Sequence, residues 1–172
     1  MIAKRLSKVT ALAVALLLFS FSLRAQFSQG RLQATGLTCA LCSKSIHQAL
    51  DQLPFIESVK PELKSSSFDI RFKREQSVSV QSIRAAVEDA GFFIGQLTLE
   101  LSEVAADSLR SGNRWPGEAS AFRVLGEWKE GQSLQVIEKG FLSEKEFKRI
   151  LSRYPESEKE LGKGICLLPI KK

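Results

Sequence analysis

The sequence predicts an α+β chain, a four-stranded sandwich followed by a smaller α+β unit. Three observations predict it. Apolar residues alternate with polar ones in four short segments between residues 31 and 101, the period of half-buried strands. Two stretches between those segments repeat apolar residues at helical spacing instead. Turn and cap residues fall at the junctions, so the order reads strand, helix, strand, strand, helix, strand.

The first strand is carried by Leu32 and Ala34, which alternate with Arg31, Gln33 and Thr35. Cys42, Ile46, Ala49, Leu50 and Leu53 then recur on one face of a helix that Pro54 ends. Val59, Pro61 and Leu63 alternate with Lys60, Glu62 and Lys64, and Phe68, Ile70 and Phe72 with Asp69 and Arg71. Lys64-Ser65-Ser66 is the turn of the hairpin between them. Ser79 is a natural N-cap for a second helix, with Val80, Ile83, Val87 and Ala90 as its buried stripe. Gly91 stands where a left-handed C-cap is wanted. Leu97, Leu99 and Leu101 alternate in the last strand. The order βαββαβ is the ferredoxin-like split βαβ sandwich, with both helices on one face of the sheet.

Residues 102–172 read as a second, small α+β unit of unassigned fold. Residues 102–111 suit a short amphipathic helix, and Gly112 to Gly117 is a break. Phe122 to Trp128 reads as a strand, Lys129-Glu130-Gly131-Gln132 as a hairpin turn, and Leu134, Val136 and Ile137 as the returning strand. Ser143 and Glu146 form a capping box for a helix through Arg153, with Phe147, Ile150 and Leu151 on its apolar face. Pro155 to Gly164 is a charged linker, and Ile165-Cys166-Leu167-Leu168 a wholly apolar, buried last strand. Trp115 and Trp128 are read as packing residues.

The N-terminus bounds the setting. Lys4, Arg5 and Lys8 precede an apolar run from Val9 to Leu23, and Leu23-Arg24-Ala25 offers a small residue before a cut at Gln26. That is the layout of a secretory signal peptide over residues 1–25. The expectation is an exported, periplasmic protein, held to a membrane only if this segment stays uncleaved. The net charge of +6 misleads, because residues 1–25 hold four basic groups and no acidic one. The remainder carries 21 basic against 19 acidic residues, and no basic stripe interleaved with aromatics marks a nucleic-acid surface. With one histidine, and no serine–histidine–acid set, phosphate loop or paired carboxylates of convincing placement, the chain is read as not an enzyme.

The chemistry is concentrated in Gly36-Leu37-Thr38-Cys39-Ala40-Leu41-Cys42, which closes the first strand and opens the first helix. Two thiols two residues apart at a helix start suit a soft metal ion. The positive end of the helix dipole favours thiolate, the form that binds Cu(I), Hg(II) or Zn(II). Cu(I) and Hg(II) accept two thiolates, whereas Zn(II) wants four ligands and would need outside help. His47, five residues after Cys42 and about 500° around a helix of 3.6 residues per turn, points elsewhere and is read as a surface residue. Cys166 is read as an inert buried thiol, a third ligand only if the second unit folds over the loop.

On that motif, and on Val87-Glu88-Asp89-Ala90-Gly91-Phe92, residues 31–101 resemble the heavy-metal-associated domain family. Its members are copper chaperones and the N-terminal modules of metal-pumping P-type ATPases. With a signal peptide, the layout is similar to the periplasmic mercury-binding proteins. The resemblance implies Cys39 and Cys42 as metal ligands, Gly36, Leu37 and Thr38 as residues that shape the loop without coordinating, and Phe92 packed near it. Leu37 stands where the family usually has Met, and Thr38 where zinc-type modules often carry an acidic residue. The implied ion is therefore Cu(I) first, Hg(II) next and Zn(II) last. The implied partner is a metal-transporting membrane protein or another metallochaperone. The rival readings are a thiol–disulfide redox protein using the same cysteine pair, and a metal-sensing module that docks through residues 102–172.

Overall fold

A computed structural model describes residues 25–37, 40–110, 122–155 and 165–170. Residues 1–24 of the expected leader, the loop residues Thr38 and Cys39, the expected break around 112–117 with Trp115, and the expected linker from 156 lie outside the described residues.

The chain forms β1 (Phe27–Thr35), α1 (Ala40–Asp51), β2 (Ile56–Glu62), β3 (Ser67–Phe72), α2 (Val80–Asp89) and β4 (Phe93–Leu101). It continues as α3 (Glu103–Arg110), β5 (Phe122–Val124), β6 (Ser133–Ile137), α4 (Glu144–Arg153) and β7 (Ile165–Ile170). The first six elements are the βαββαβ sandwich expected, with strands in the order β2-β3-β1-β4. The same sheet then runs on without a break as β6-β7-β5, seven strands in all. β6 joins it antiparallel to β4, with Thr98 opposite Gln135 and Leu99 opposite Leu134.

The alternation read from the sequence is realised as burial. Leu32 and Ala34 of β1 point inward between exposed Arg31, Gln33 and Thr35. Ile46 and Leu50 of α1, with Ile83 and Val87 of α2, cover that face and are fully buried. They share one apolar cluster with Phe68, Leu97 and Leu99, and also with Leu134, Val136 and Leu167 of the added strands. A second cluster holds Ile137, Leu142, Phe147, Ile150 and Cys166. Successive strand residues point to opposite faces. Val136 and Leu167 belong to the first cluster and their neighbours Ile137 and Cys166 to the second, so α4 packs on the other face of the sheet from α1 and α2. β6 and β7 are thus covered on both sides, so every residue of β6 is buried and β7 reads as a near-continuous apolar run.

The caps are local and legible. Ser79 accepts from the Ser82 N–H at 3.1 Å, and Ser143 from the Glu146 N–H at 3.3 Å. At the end of α2 the Gly91 N–H donates to the Glu88 carbonyl and the Phe92 N–H to the Val87 carbonyl. With Gly91 at φ +88° this is a Schellman cap, which needs a left-handed residue at that position. α3 opens on Ser102, whose hydroxyl oxygen accepts from the Ala105 N–H and donates to the Ala25 carbonyl. That bond ties the start of the described chain to the end of β4.

Three readings are corrected. Leu63 is not in the second strand. It begins a 3-10 turn and is largely exposed, because β2 is the edge strand and its end overhangs the core. β4 begins four residues earlier than expected, at Phe93. A register shift between Gln33 and Ala34 breaks the alternation there, although the pairing with β1 continues through Phe93 opposite Thr35. The segments either side of Lys129–Gln132 are not a hairpin. The turn itself forms, with the Gln132 N–H donating to the Lys129 carbonyl, yet β7 lies between β5 and β6 and pairs with both, parallel to β5. β7 is apolar on both faces and takes the interior position, which leaves three-residue β5 at the edge.

Because Leu134 lies in the cluster shared by both parts of the chain, Leu134→Ala should lower the stability of the whole chain by about 2–5 kcal/mol. Urea unfolding followed at both far-ultraviolet and tryptophan signals checks this, with the two transitions expected to move together. Gly91→Ala forces a side chain into the left-handed region and should cost roughly 1 kcal/mol in the same assay.

Candidate metal site

The motif sits where a strand hands over to a helix. β1 ends at Thr35, and Gly36 turns the chain with φ +83° and open space around it, so glycine is there for its backbone and not for a tight contact. Leu37 follows and is half-buried against the first cluster, which anchors the loop from its N-terminal side. α1 then begins at Ala40, with no acidic residue in its first turn to offset the positive end of its dipole. Cys42 lies on that first turn, half-buried. Below it on the same helix Ile46 and Leu50 are fully buried, so packing of this face fixes the rotation of α1 and with it the direction of Cys42. Cys39 and Thr38, the other two motif residues, lie outside the described residues.

The second sequence signature is brought to the same end of the molecule by strand pairing. Thr35 is opposite Phe93 in the β1–β4 register, and the Thr35 hydroxyl donates to the Phe93 carbonyl at 3.3 Å. The turn at Gly36 and the cap at Gly91-Phe92 therefore stand side by side. Phe92 is half-buried and packs on the first cluster, as Leu37 does. Both apolar residues support the loop from within the same core.

Two residues that sequence reasoning did not single out belong to this region. Leu41, between the two cysteines in the chain, is 75 % exposed, and Phe93 is 68 % exposed. This pair rims the loop end of the domain with apolar surface. The signal in the sequence was present but unweighted: Leu41 falls off the buried stripe of α1, and Phe93 alternates outward from Ile94.

The remaining candidates separate cleanly. His47 is half-buried on α1, and its Nε2 donates to the Val59 carbonyl of β2 at 3.1 Å, a structural bond between helix and edge strand. Cys166 is fully buried in the second cluster, on the opposite face of the sheet from α1. The sheet stands between it and the loop, so a third ligand from Cys166 would have to pass through the sheet.

Residues 31–93 match the model of the heavy-metal-associated domain. The chain is 37% identical over 60 residues to a probable copper-exporting P-type ATPase of Archaeoglobus fulgidus, covering 35% of this chain and 7% of that protein. It is 31% identical over 84 residues to a probable copper-transporting ATPase of Arabidopsis thaliana, covering 49% of this chain and 8% of that one. This chain thus spans less than a tenth of either curated relative. Among solved structures, a copper-binding domain from a P-type ATPase is 28% identical, covers 44% of this chain and 97% of its own length, and superposes with a TM-score of 0.36. The matched segment runs from within β1 to the first residue of β4 and holds the Gly36 turn, Cys42 and the Gly91-Phe92 cap: residues 31–93 of this chain are a heavy-metal-associated domain.

Proposed function

We propose that this protein is an exported carrier that binds one Cu(I) through the thiolates of Cys39 and Cys42 and delivers or sequesters it. The observation that carries the reading is the position of Cys42, half-buried on the first turn of α1 directly after the Gly36 turn, within a heavy-metal-associated domain. The helix N-terminus favours the thiolate, and a two-thiolate site suits Cu(I), with Hg(II) as the other ion of matching softness. The copper ATPases among the relatives support copper as the first choice.

The same geometry supports delivery. A site on a loop at the end of the sandwich lets an incoming thiolate add before an outgoing one leaves, so the ion passes to a metal-transporting membrane protein or another metallochaperone through a three-thiolate intermediate. Exposed Leu41 and Phe93 supply apolar surface for that encounter. The protein acts by binding and exchange, without a catalytic group.

Competition of the reduced protein against a chromophoric Cu(I) chelator tests this. One ion should bind, and Cys39→Ser with Cys42→Ser should abolish binding while far-ultraviolet circular dichroism stays unchanged. Full binding by that double variant sinks the assignment. No competitive binding by the unaltered protein would favour thiol–disulfide exchange, read from the reduction potential of the pair. Cys166→Ala should leave the metal stoichiometry and affinity unchanged and lower stability by about 1 kcal/mol, because the thiol fills the second cluster rather than the site. Binding should weaken as pH falls, since protons compete with the metal for both thiolates.

A further inference from the structure

The other face of the sheet carries a concave surface unrelated to the metal loop. Between α4 and strands β6 and β7 lies a cavity of about 660 Å³, within the usual range for a small-molecule site. Its apolar side is formed by Ile150 of α4 with Leu168 and Ile170 of β7. Arg149 and Arg153, one helical turn apart on α4, line the same cavity. Arg149 makes a 3.5 Å ion pair with Glu146, also a lining residue, and both partners remain open to solvent. Arg153 has no ion pair among the described residues. The cavity wall therefore keeps one net positive charge.

Gln135 is the telling residue. It is only 7 % exposed and lines this cavity. Its backbone is placed in the ladder between Thr98 and Leu168. Its side-chain amide, which offers two N–H donors and a carbonyl acceptor, has no hydrogen-bond partner among the described residues. The nearest candidate across the strand, the Thr98 hydroxyl, donates instead to the Arg31 carbonyl. A buried amide without a partner is rare in folded proteins, and an apolar side chain would serve better at a position that only had to pack.

We infer that this cavity binds a small amphipathic monoanion, a carboxylate on an apolar chain. The carboxylate is taken by Arg153 with Arg149, in charge-assisted hydrogen bonds of the kind guanidinium groups make best. The Gln135 amide donates to the same head group, and Ile150, Leu168 and Ile170 receive the chain. The site is built by α4, β6 and β7, none of which belongs to the heavy-metal-associated segment, so it is a second function of the C-terminal part.

Calorimetric titration of the full chain with octanoate, octanol and inorganic phosphate tests this. Octanoate should bind, and the other two should bind at least tenfold more weakly. Arg149→Ala with Arg153→Ala should weaken octanoate by about tenfold or more; both side chains are exposed, so the fold should be unaffected. Gln135→Leu should weaken octanoate while raising the thermal midpoint, since it removes an unpartnered amide. Cys39→Ser with Cys42→Ser should bind octanoate unchanged, which separates this site from the metal loop. Equal binding of octanol, full competition by phosphate, or unaltered binding by the double arginine variant would overturn the assignment. So would a Gln135→Leu protein that is destabilised and binds octanoate normally.

Discussion

The antiparallel pairing of β1 with β4 is the interaction on which the rest of this structure depends. It runs from Phe27 opposite Leu101 to Thr35 opposite Phe93 and places two distant parts of the chain in contact along their whole length. At one end it sets the Gly36 turn beside the Gly91-Phe92 cap, so the loop bearing the cysteine motif is backed by Leu37 and Phe92 from one core. Along its free side, β4 offers the edge to which β6 adds. A slip of one residue in this register would turn Leu32 and Leu97 out of the core and detach the loop from its support.

Cys42 is held by the fold without being buried. α1 is locked by the fully buried Ile46 and Leu50 below its first turn. Cys42 therefore has a defined direction on a rigid element yet keeps partial access to solvent. A thiolate buried more deeply would be costly to desolvate, and one on a longer flexible loop would have to be ordered each time an ion bound. Intermediate burial is the compromise that the proposed binding and release of an ion would require.

The C-terminal segment changes what kind of object the domain is. A four-stranded sandwich with helices on one face leaves its other face and its β4 edge open to water, and open edges invite pairing with other chains. Here β6, β7 and β5 take up that edge, and α4 covers part of the second face. The apolar layer under α1 and α2 extends beneath β6 and β7, so the two parts share a core rather than meeting at a surface. The uncovered remainder of the second face stays polar, with Gln33, Thr98 and Ser133 lining a shallow groove of about 510 Å³ that meets the α4 cavity at Ile170.

What the sequence by itself determined is whatever short-range chemistry decides. Alternation placed the four sandwich strands, helical spacing placed α1 and α2, and Ser79, Gly91 and Ser143 marked caps that form within a few residues of themselves, although the Glu146 carboxylate pairs with Arg149 and leaves the capping box half made. The burial of Cys166 was legible for the same reason, since its apolar neighbours are in its own strand. Tertiary structure alone decided the rest. Nothing local says that β7 should enter between β5 and β6, since strand neighbours are chosen by which apolar faces can be covered on both sides. The bulge at Gly95 hid the true start of β4, because pairing can continue where alternation does not. The isolation of the Gln135 amide is likewise a property of its surroundings, and a sequence carries that only through the fold it adopts.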